Sequence, residues 1–423
     1  MTPITAAAAI AEHVKPGDTV VISPGMGEPA SLVAELASQA ERLKGSRILC
    51  GLLLDEYPFA SDEALRHLTF DTWHTMAPIR DAVASGRVGF FPIRGGRVVD
   101  HLLRTGVDVL LCSVSEADRF GFHSFGPSVS YPLPIAQMAR KVVAEVHPEF
   151  PYTCGETVLH LDRIAALVEA PGPGRSYREA VLTEEAKQIA VHVRELIPDH
   201  ATLQVGIGAV SEALLKALLE QGSPDDLRFW GMGIDSMVDL YQQSGVGRRQ
   251  GRPFLVGAEL MGSTRLLEFA DRNPDVTLYP SAVVLSPQSI AQVPNFVSVN
   301  TALEVDLCGA VNAEVLRGRQ ISGAGGSFDF IEGATMSEGG ISVIAISSTA
   351  GDGKFSRIVP QLNGPATVPR HSVQYVVTEY GIAELAGKTL GQRAESLISI
   401  AHPSHRDQLE ATRTAKSWGG ALA

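Results

Sequence analysis

Apolar positions along this chain switch between two periods. Residues 9–37, "AIAEHVKPGDTVVISPGMGEPASLVAELA", open at helical spacing and break at Pro16-Gly17. They then run through a β-branched stretch, turn at Gly25-Met26-Gly27 and return to helical spacing. Residues 189–219, "IAVHVRELIPDHATLQVGIGAVSEALLKALL", repeat that order of signals. The spacing repeats too: Gly27 to Gly51 is 24 residues and Gly208 to Gly231 is 23. The duplication predicts two related α/β halves. The continuous apolar runs "VDVLLCSV" (107–114), "ISVIAI" (341–346) and "VQYVV" (373–377) suit strands covered on both faces, in mixed or parallel sheets flanked by helices. "EAPGPGRSYREA" (169–180) has a linker's composition, so the domains are expected at 1–182 and 183–423. "DLRFWGMGIDS" (226–236) reads as a strand interrupted by Gly231 and Gly233 that resumes at Ile234 and Asp235.

Bulk composition narrows the partners. The chain has 423 residues, 45% of them apolar, and a formal net charge of −12 without long runs of one sign. That balance argues against nucleic acid as a partner and leaves room for a small anionic ligand in a local pocket. No stretch reaches the ~18 apolar residues of a membrane span, and the amino-terminal run, broken by Glu12 and His13, reads as a helix rather than a signal peptide. Cys50, Cys112, Cys154 and Cys308 lie far apart without a CxxC pair. They are expected as buried free thiols of a cytoplasmic protein, and no metal site is expected.

Three glycine-rich stretches could carry chemistry. "LQVGIGAVSEALL" (203–215) is a strand running through a Gly-x-Gly turn into a helix. The amides of Gly206, Gly208 and Ala209 could face an anion or a developing oxyanion there, or simply make a tight turn. "SGAGGSFDFIEGA" (322–334) sets glycines near Asp329 in what reads as a turn-rich loop. "TEYGIAEL" (378–385) reads as a strand end followed by a helix. Neither GxGxxG nor a Walker A sequence occurs.

Taken in order, these stretches carry a resemblance. "LQVGIG" (203–208), "NPDVTLYP" (273–280), "VSVNTALEVDLCG" (297–309), "SGAGGSFDFIEGA", "SRIVP" (356–360), "VVTEYGIAELAGKT" (376–389) and "RAESLISIAHPSHRDQL" (393–409) resemble the acetyl-CoA hydrolase / 4-hydroxybutyrate CoA-transferase group of the class I CoA-transferase family. "SVSEADRFGFHSFGPSVSY" (113–131) extends the likeness into the first half. The resemblance implies two α/β halves with an acyl-CoA thioester bound between them as substrate, a small acceptor, and a homodimer or larger assembly. It also implies a glutamate that attacks the thioester and then carries CoA as a glutamyl thioester. Gly206, Gly208 and Ala209 would supply the oxyanion hole. Gly323, Gly325 and Gly326 would approach CoA, with Asn300 and Glu304 bracing the site, and Asp329 beside the glycine loop matches a family position. Glu379 also matches a family position.

One departure stands out. Aligned on Asp235, the family's nucleophile falls at Gly231, and no carboxylate lies between Asp226 and Asp235. Asp235 and Glu259 are the candidate replacements, Glu259 because it breaks the apolar run "LVGAELMGS" (255–263). His123, in "RFGFHSFG" (119–126), is a candidate general base from the first half. Trp230 and Phe229 line the acyl group or belong to the core. Three functions therefore compete: CoA transfer to a carboxylate through a covalent intermediate, direct hydrolysis or acyl transfer at a retained thioester site, and CoA-ester binding without turnover.

Overall fold

The structure is a computed structural model that describes residues 2–244 and 251–415. The chain divides into two compact units. Unit 1 comprises residues 1–178, 231–238 and 251–285; unit 2 comprises 179–230, 239–250 and 286–423.

Unit 1 is built on seven strands: β1 (Thr19–Ile22), β2 (Arg47–Cys50), β3 (Thr69–Thr72), β4 (Gly89–Phe90), β5 (Val109–Val114), β6 (Lys141–Val146) and β7 (Ala166–Glu169). They pair in the order β7-β6-β5-β1-β2-β3-β4, and every pairing is parallel. All six residues of β5 are buried, as its unbroken apolar run requires of a strand covered on both faces. From β1 the chain builds outward through β2, β3 and β4, then returns to the other side of β1 to lay down β5. The order reverses there, so the carboxyl ends of β1 and β5 border a topological switch point, where open α/β sheets place their ligands. The turn Gly25–Gly27 follows β1 at that point.

Beyond the linker come β8 (Thr202–Gln204), β9 (Arg228–Gly233), β10 (Leu255–Leu260), β11 (Val276–Leu278), β12 (Phe296–Thr301), β13 (Ile341–Ala345), β14 (Tyr375–Thr378) and β15 (Gly381–Glu384). In unit 2 the order is β15-β14-β13-β12-β8-β9, parallel except for the antiparallel β14–β15 pair. Here β8 borders the reversal, and its carboxyl end leads into Gly206–Gly208. The duplication holds at the helix starts as well. Thr5 caps Ala6–His13 by accepting from the Ala8 amide, and Thr183 caps Glu184–Glu195 by accepting from the Ala186 amide. β9 belongs to unit 2 as far as Trp230 and to unit 1 from Gly231. In unit 1, β10 pairs with β11 in parallel, and β11 pairs with Cys154–Gly155.

Three local readings of the sequence are corrected. "TEYGIAEL" forms the β14–β15 hairpin rather than a strand and helix, because Gly381, at φ +134°, reverses the chain. "SGAGGSFDFIEGA" is largely helical: Ser327–Met336 is a helix with Gly326 at its amino-terminal cap and Asp329 buried in its first turn. The strand through "DLRFWGMGIDS" does not resume after its glycines, since a helix, Asp235–Ser244, begins at Asp235. All four cysteines are free, with Cys50 and Cys112 buried and Cys154 and Cys308 partly exposed.

Candidate active site

In unit 1 the site is assembled around β10. Pro127 to Ser130 runs antiparallel along that strand: Leu260 donates its amide to the Pro127 carbonyl at 2.7 Å, and Val129 donates to Ala258 at 3.1 Å. This register sets Ser128 opposite Glu259. The Gly25–Gly27 turn closes in from the end of β1, and it needs its glycines. A Cβ on Gly27 would lie 2.6 Å from the Ser128 Cβ. Gly25 has φ +57°, and its Cβ would meet the Met261 sulfur at 3.1 Å and a Glu259 carboxylate oxygen at 3.8 Å. The amide of Gly262 donates to the Met26 sulfur, which ties this turn to the end of β10.

Glu259 is the unusual group here. Both of its carboxyl oxygens are sealed from solvent, and neither accepts a hydrogen bond of ordinary geometry. Loss of hydration pushes the carboxyl up to about 8. The Ser128 and Ser130 hydroxyls and the Ser130 amide face it and offset only part of that rise. Other buried acids of unit 1 are provided for. Glu28 pairs with Arg175 at 3.1 Å, and Arg175 also reaches Asp55. Glu145 accepts from the Ser31 and Leu32 amides at a helix start and meets His147 at 2.9 Å. Asp18 accepts from the Lys15 amide and pairs with Arg140. Glu259 differs from these acids in that neither of its oxygens is engaged in an ordinary hydrogen bond.

Gly231 lies on β9, the strand next to β10 in the sheet. On the unit 1 side, the Met261 amide donates to the Gly233 carbonyl, and the Gly231 carbonyl stands 3.4 Å from where a Cβ of Gly257 would be. Glu259 follows Gly257 by two residues and projects from the same face of β10. Gly231 itself has φ +109°, a backbone region that residues with a Cβ rarely occupy. A glutamate at 231 would be strained in this strand, whereas the neighbouring strand carries one.

The remaining candidates of unit 1 have structural partners. Asp235 accepts from the amide and the hydroxyl of Ser263 at 2.7 and 2.9 Å, so both its oxygens hold the next helix start. His123 is buried, and its Nδ1 donates to the Ser115 carbonyl at 2.8 Å.

In unit 2, Gly206–Gly208 links the end of β8 to the helix Ala209–Gln221. Gly208 adopts φ +119°, and open space adjoins Gly206 and Gly208. Among the described residues, no protein acceptor takes up the Gly206, Gly208 or Ala209 amides. Asn300 is connected to this turn: its amide group donates to Gln204 and Ser298, and the Ser298 hydroxyl donates to Gln204. Glu304 accepts from Asn312 and from the backbone and side chain of Asn363. Gly325, at φ +53°, faces open space near Gly323 and Gly326. Glu379 accepts from the amide and hydroxyl of Ser348. Phe229 is a core residue, and Trp230 packs edge-on to Phe296. Among the described residues there is no cluster of potential metal ligands, and no helix long and apolar enough to cross a membrane.

Gly25, Gly27, Ser128 and Ser130 were not singled out by sequence reasoning. The signal for the glycines was the duplication, since Gly25-Met26-Gly27 is the first-half counterpart of Gly206-Ile207-Gly208.

Comparison with known proteins supplies the context. The Acetyl-CoA hydrolase/transferase N-terminal domain matches residues 3–192 and the corresponding C-terminal domain matches residues 262–413. A 4-hydroxybutyrate coenzyme A transferase of Clostridium kluyveri is 38% identical, covering 92% of each chain. A succinyl-CoA:cyclohexane-1-carboxylate CoA transferase of Geobacter metallireducens is 35% identical over 97% of this chain and 94% of its own. Among solved structures, RipA from Yersinia pestis has a TM-score of 0.90 at 29% identity, covering 97% of both chains. A 4-hydroxybutyrate CoA-transferase from Porphyromonas gingivalis has a TM-score of 0.81 at 30% identity, covering 98% of this chain and 97% of its own. The chain belongs to the acetyl-CoA hydrolase/transferase family.

Proposed function

We propose that this enzyme, an acyl-CoA thioester-processing member of its family, hydrolyses its substrate by direct attack of water, with Glu259 as general acid and base. The observation that carries this reading is the buried Glu259 carboxyl, neither oxygen of which accepts an ordinary hydrogen bond, next to a strand whose Gly231 has a backbone that residues with a Cβ rarely adopt.

The chemistry follows from the carboxyl's raised proton affinity. With a value of about 8, roughly a tenth of Glu259 is ionised at pH 7, and that fraction is a far stronger base than an ordinary carboxylate. It takes a proton from water as the oxygen attacks the thioester carbonyl carbon. The C–S bond then breaks, and Glu259 returns the proton to the leaving sulfur. A free thiol titrates near ~8.5, so the return is close to isoenergetic. Free acid and CoA leave together. The Gly206, Gly208 and Ala209 amides keep the oxyanion-stabilising role that the family resemblance implies, and Gly323, Gly325 and Gly326 keep the approach to CoA.

The relatives' names favour a second reading, in which Glu259 is the covalent nucleophile of a CoA transfer to a carboxylate. Free-thiol release from a panel of acyl-CoAs, with and without carboxylate acceptors, distinguishes the two. Hydrolysis gives acceptor-independent release that Glu259→Gln abolishes. Release that requires a carboxylate points to transfer. Full activity in Glu259→Gln removes Glu259 from either role.

A further inference from the structure

Residues 174–177 belong to the segment whose composition reads as a linker, yet they are tied down at three places in unit 1. The Gly174 amide donates to the Glu149 carboxylate. The Arg175 guanidinium reaches Glu28 at 3.1 Å and Asp55 at 2.6 Å. The Tyr177 amide donates to the Gly262 carbonyl at 2.9 Å. A side chain at 174 has no room, since a Cβ there would lie 2.6 Å from the Phe150 ring. A flexible spacer makes no such bonds; this stretch is a strap.

Each anchor leads to the turn that packs on Glu259. Gly262 donates its own amide to the Met26 sulfur, in the middle of that turn, at 3.2 Å. Glu28 follows the turn directly. Glu149 meets His147, His147 meets Glu145, and Glu145 accepts the Ser31 and Leu32 amides at the start of the next helix, Ala30–Ser38. The strap grips the turn at its middle, at its end and through the helix that follows.

Arg175 is the charged member of the strap, and its partner depends on it. Glu28 is 1% exposed, with one carboxyl oxygen on Arg175 and the other buried without a hydrogen bond. Desolvation drives this carboxyl up, Arg175 pulls it down, and Asp55 and Glu145 push it up again. Burial keeps the Cys50 thiol and the Tyr57 phenol, which also face it, protonated. Without Arg175, a buried Glu28 anion must gain either a proton or water. Water reaches it by opening the turn, and Gly25 in that turn packs on Glu259, where a Cβ would stand 3.8 Å from a carboxylate oxygen. The other groups facing Glu259 are hydroxyls, those of Ser128, Ser130 and Tyr131. Given the function proposed above, we propose that Arg175 is a positioning residue for Glu259: its pairing with Glu28 keeps the Gly25–Gly27 turn closed over that carboxyl and bulk water out.

The Glu259 titration tests this in the full-length protein without using the reaction. Thermal melts across pH 5.5 to 8.5 compare Glu259 with Glu259→Gln, first with Arg175 in place and then in Arg175→Gln and Arg175→Lys. With Arg175 the stability difference grows until pH reaches about 8. In Arg175→Gln it should level off at least about one pH unit lower, because the admitted water hydrates Glu259 and screens Glu28. Arg175→Lys keeps the charge and should move the levelling point back towards 8. The midpoint of kcat/KM against pH should move with it. A strap that merely stabilises the fold would lower stability at every pH and leave both midpoints in place, which overturns the proposal; so does an Arg175→Lys no better than Arg175→Gln. If Arg175→Gln does not fold, the double variant Glu28→Gln/Arg175→Gln decides: folding regained once the stranded charge is removed supports the pairing, and a double variant that still fails to fold overturns it. An active Glu259→Gln would sink the proposed hydrolysis and leave the titration result standing.

Discussion

Replacing Glu259 with glutamine should make the protein more stable and less active, and the stability gain should grow with pH. In the folded state the carboxyl holds its proton up to about 8, whereas in the unfolded chain it loses it near 4.5. The folded state therefore binds more protons between those values, so this group's contribution to stability is fully present below pH 4.5 and is lost as pH rises towards 8. Worked through the linkage relation, ionisation of the unfolded chain costs the wild type roughly 1 kcal/mol at pH 5.5 and about 5 kcal/mol at pH 8.5. Glutamine has nearly the same shape and does not titrate. Glu259→Gln should thus gain little at pH 5.5 and several kcal/mol at pH 8.5, a rise of several degrees in melting temperature. Parallel thermal melts of the two proteins across this range, beside thiol-release assays, measure both effects. A constant stability difference between pH 5.5 and 8.5 would refute the account of a desolvated carboxyl. Retained activity would refute its catalytic role.

Three further outcomes follow from the geometry. For the wild type, kcat/KM should climb with pH and level off with an apparent midpoint near 8, and Glu259→Gln should show no such limb; a rate already level from pH 6 upward contradicts the general base. Gly231→Glu places a side chain at φ +109°, so it should lower stability by about 1–3 kcal/mol in denaturant melts and fail to form a glutamyl-CoA adduct detectable by mass. Asp235→Ala removes the acceptor of two hydrogen bonds from Ser263 at a cost of about 1–3 kcal/mol, while kcat at saturating substrate stays near the wild-type value; a thousandfold fall in kcat would return Asp235 to the chemistry.

Much of this architecture can be read from periodicity. Each half announces its helix, strand, Gly-x-Gly turn and helix, because a parallel sheet buried on both faces demands unbroken apolar strands, and the positive φ of Gly25 and Gly208 in the turns that follow favours glycine. The unbroken runs at Val109–Val114 and Ile341–Ala345 became central strands for that reason. What sequence alone left open depends on long-range partners. Asp235 looked like part of a strand until Ser263, 28 residues on, supplied the two hydrogen-bond donors it accepts from. Gly381 turned an expected helix into a hairpin through one backbone angle. Glu259 could have faced solvent from an apolar strand; only the register of Pro127–Ser130 along β10 seals it. Nor does any compositional signal mark Gly231 as the point where β9 passes from one unit to the other.

The central claim is that Glu259 activates water instead of carrying CoA. Intact-protein mass spectrometry of the wild type, quenched with acid during turnover of an acyl-CoA that it cleaves, tests this most directly. The account predicts unmodified protein at every time point while free CoA accumulates. A species heavier by one CoA less water, absent from Glu259→Gln, would contradict it and make Glu259 a relocated nucleophile.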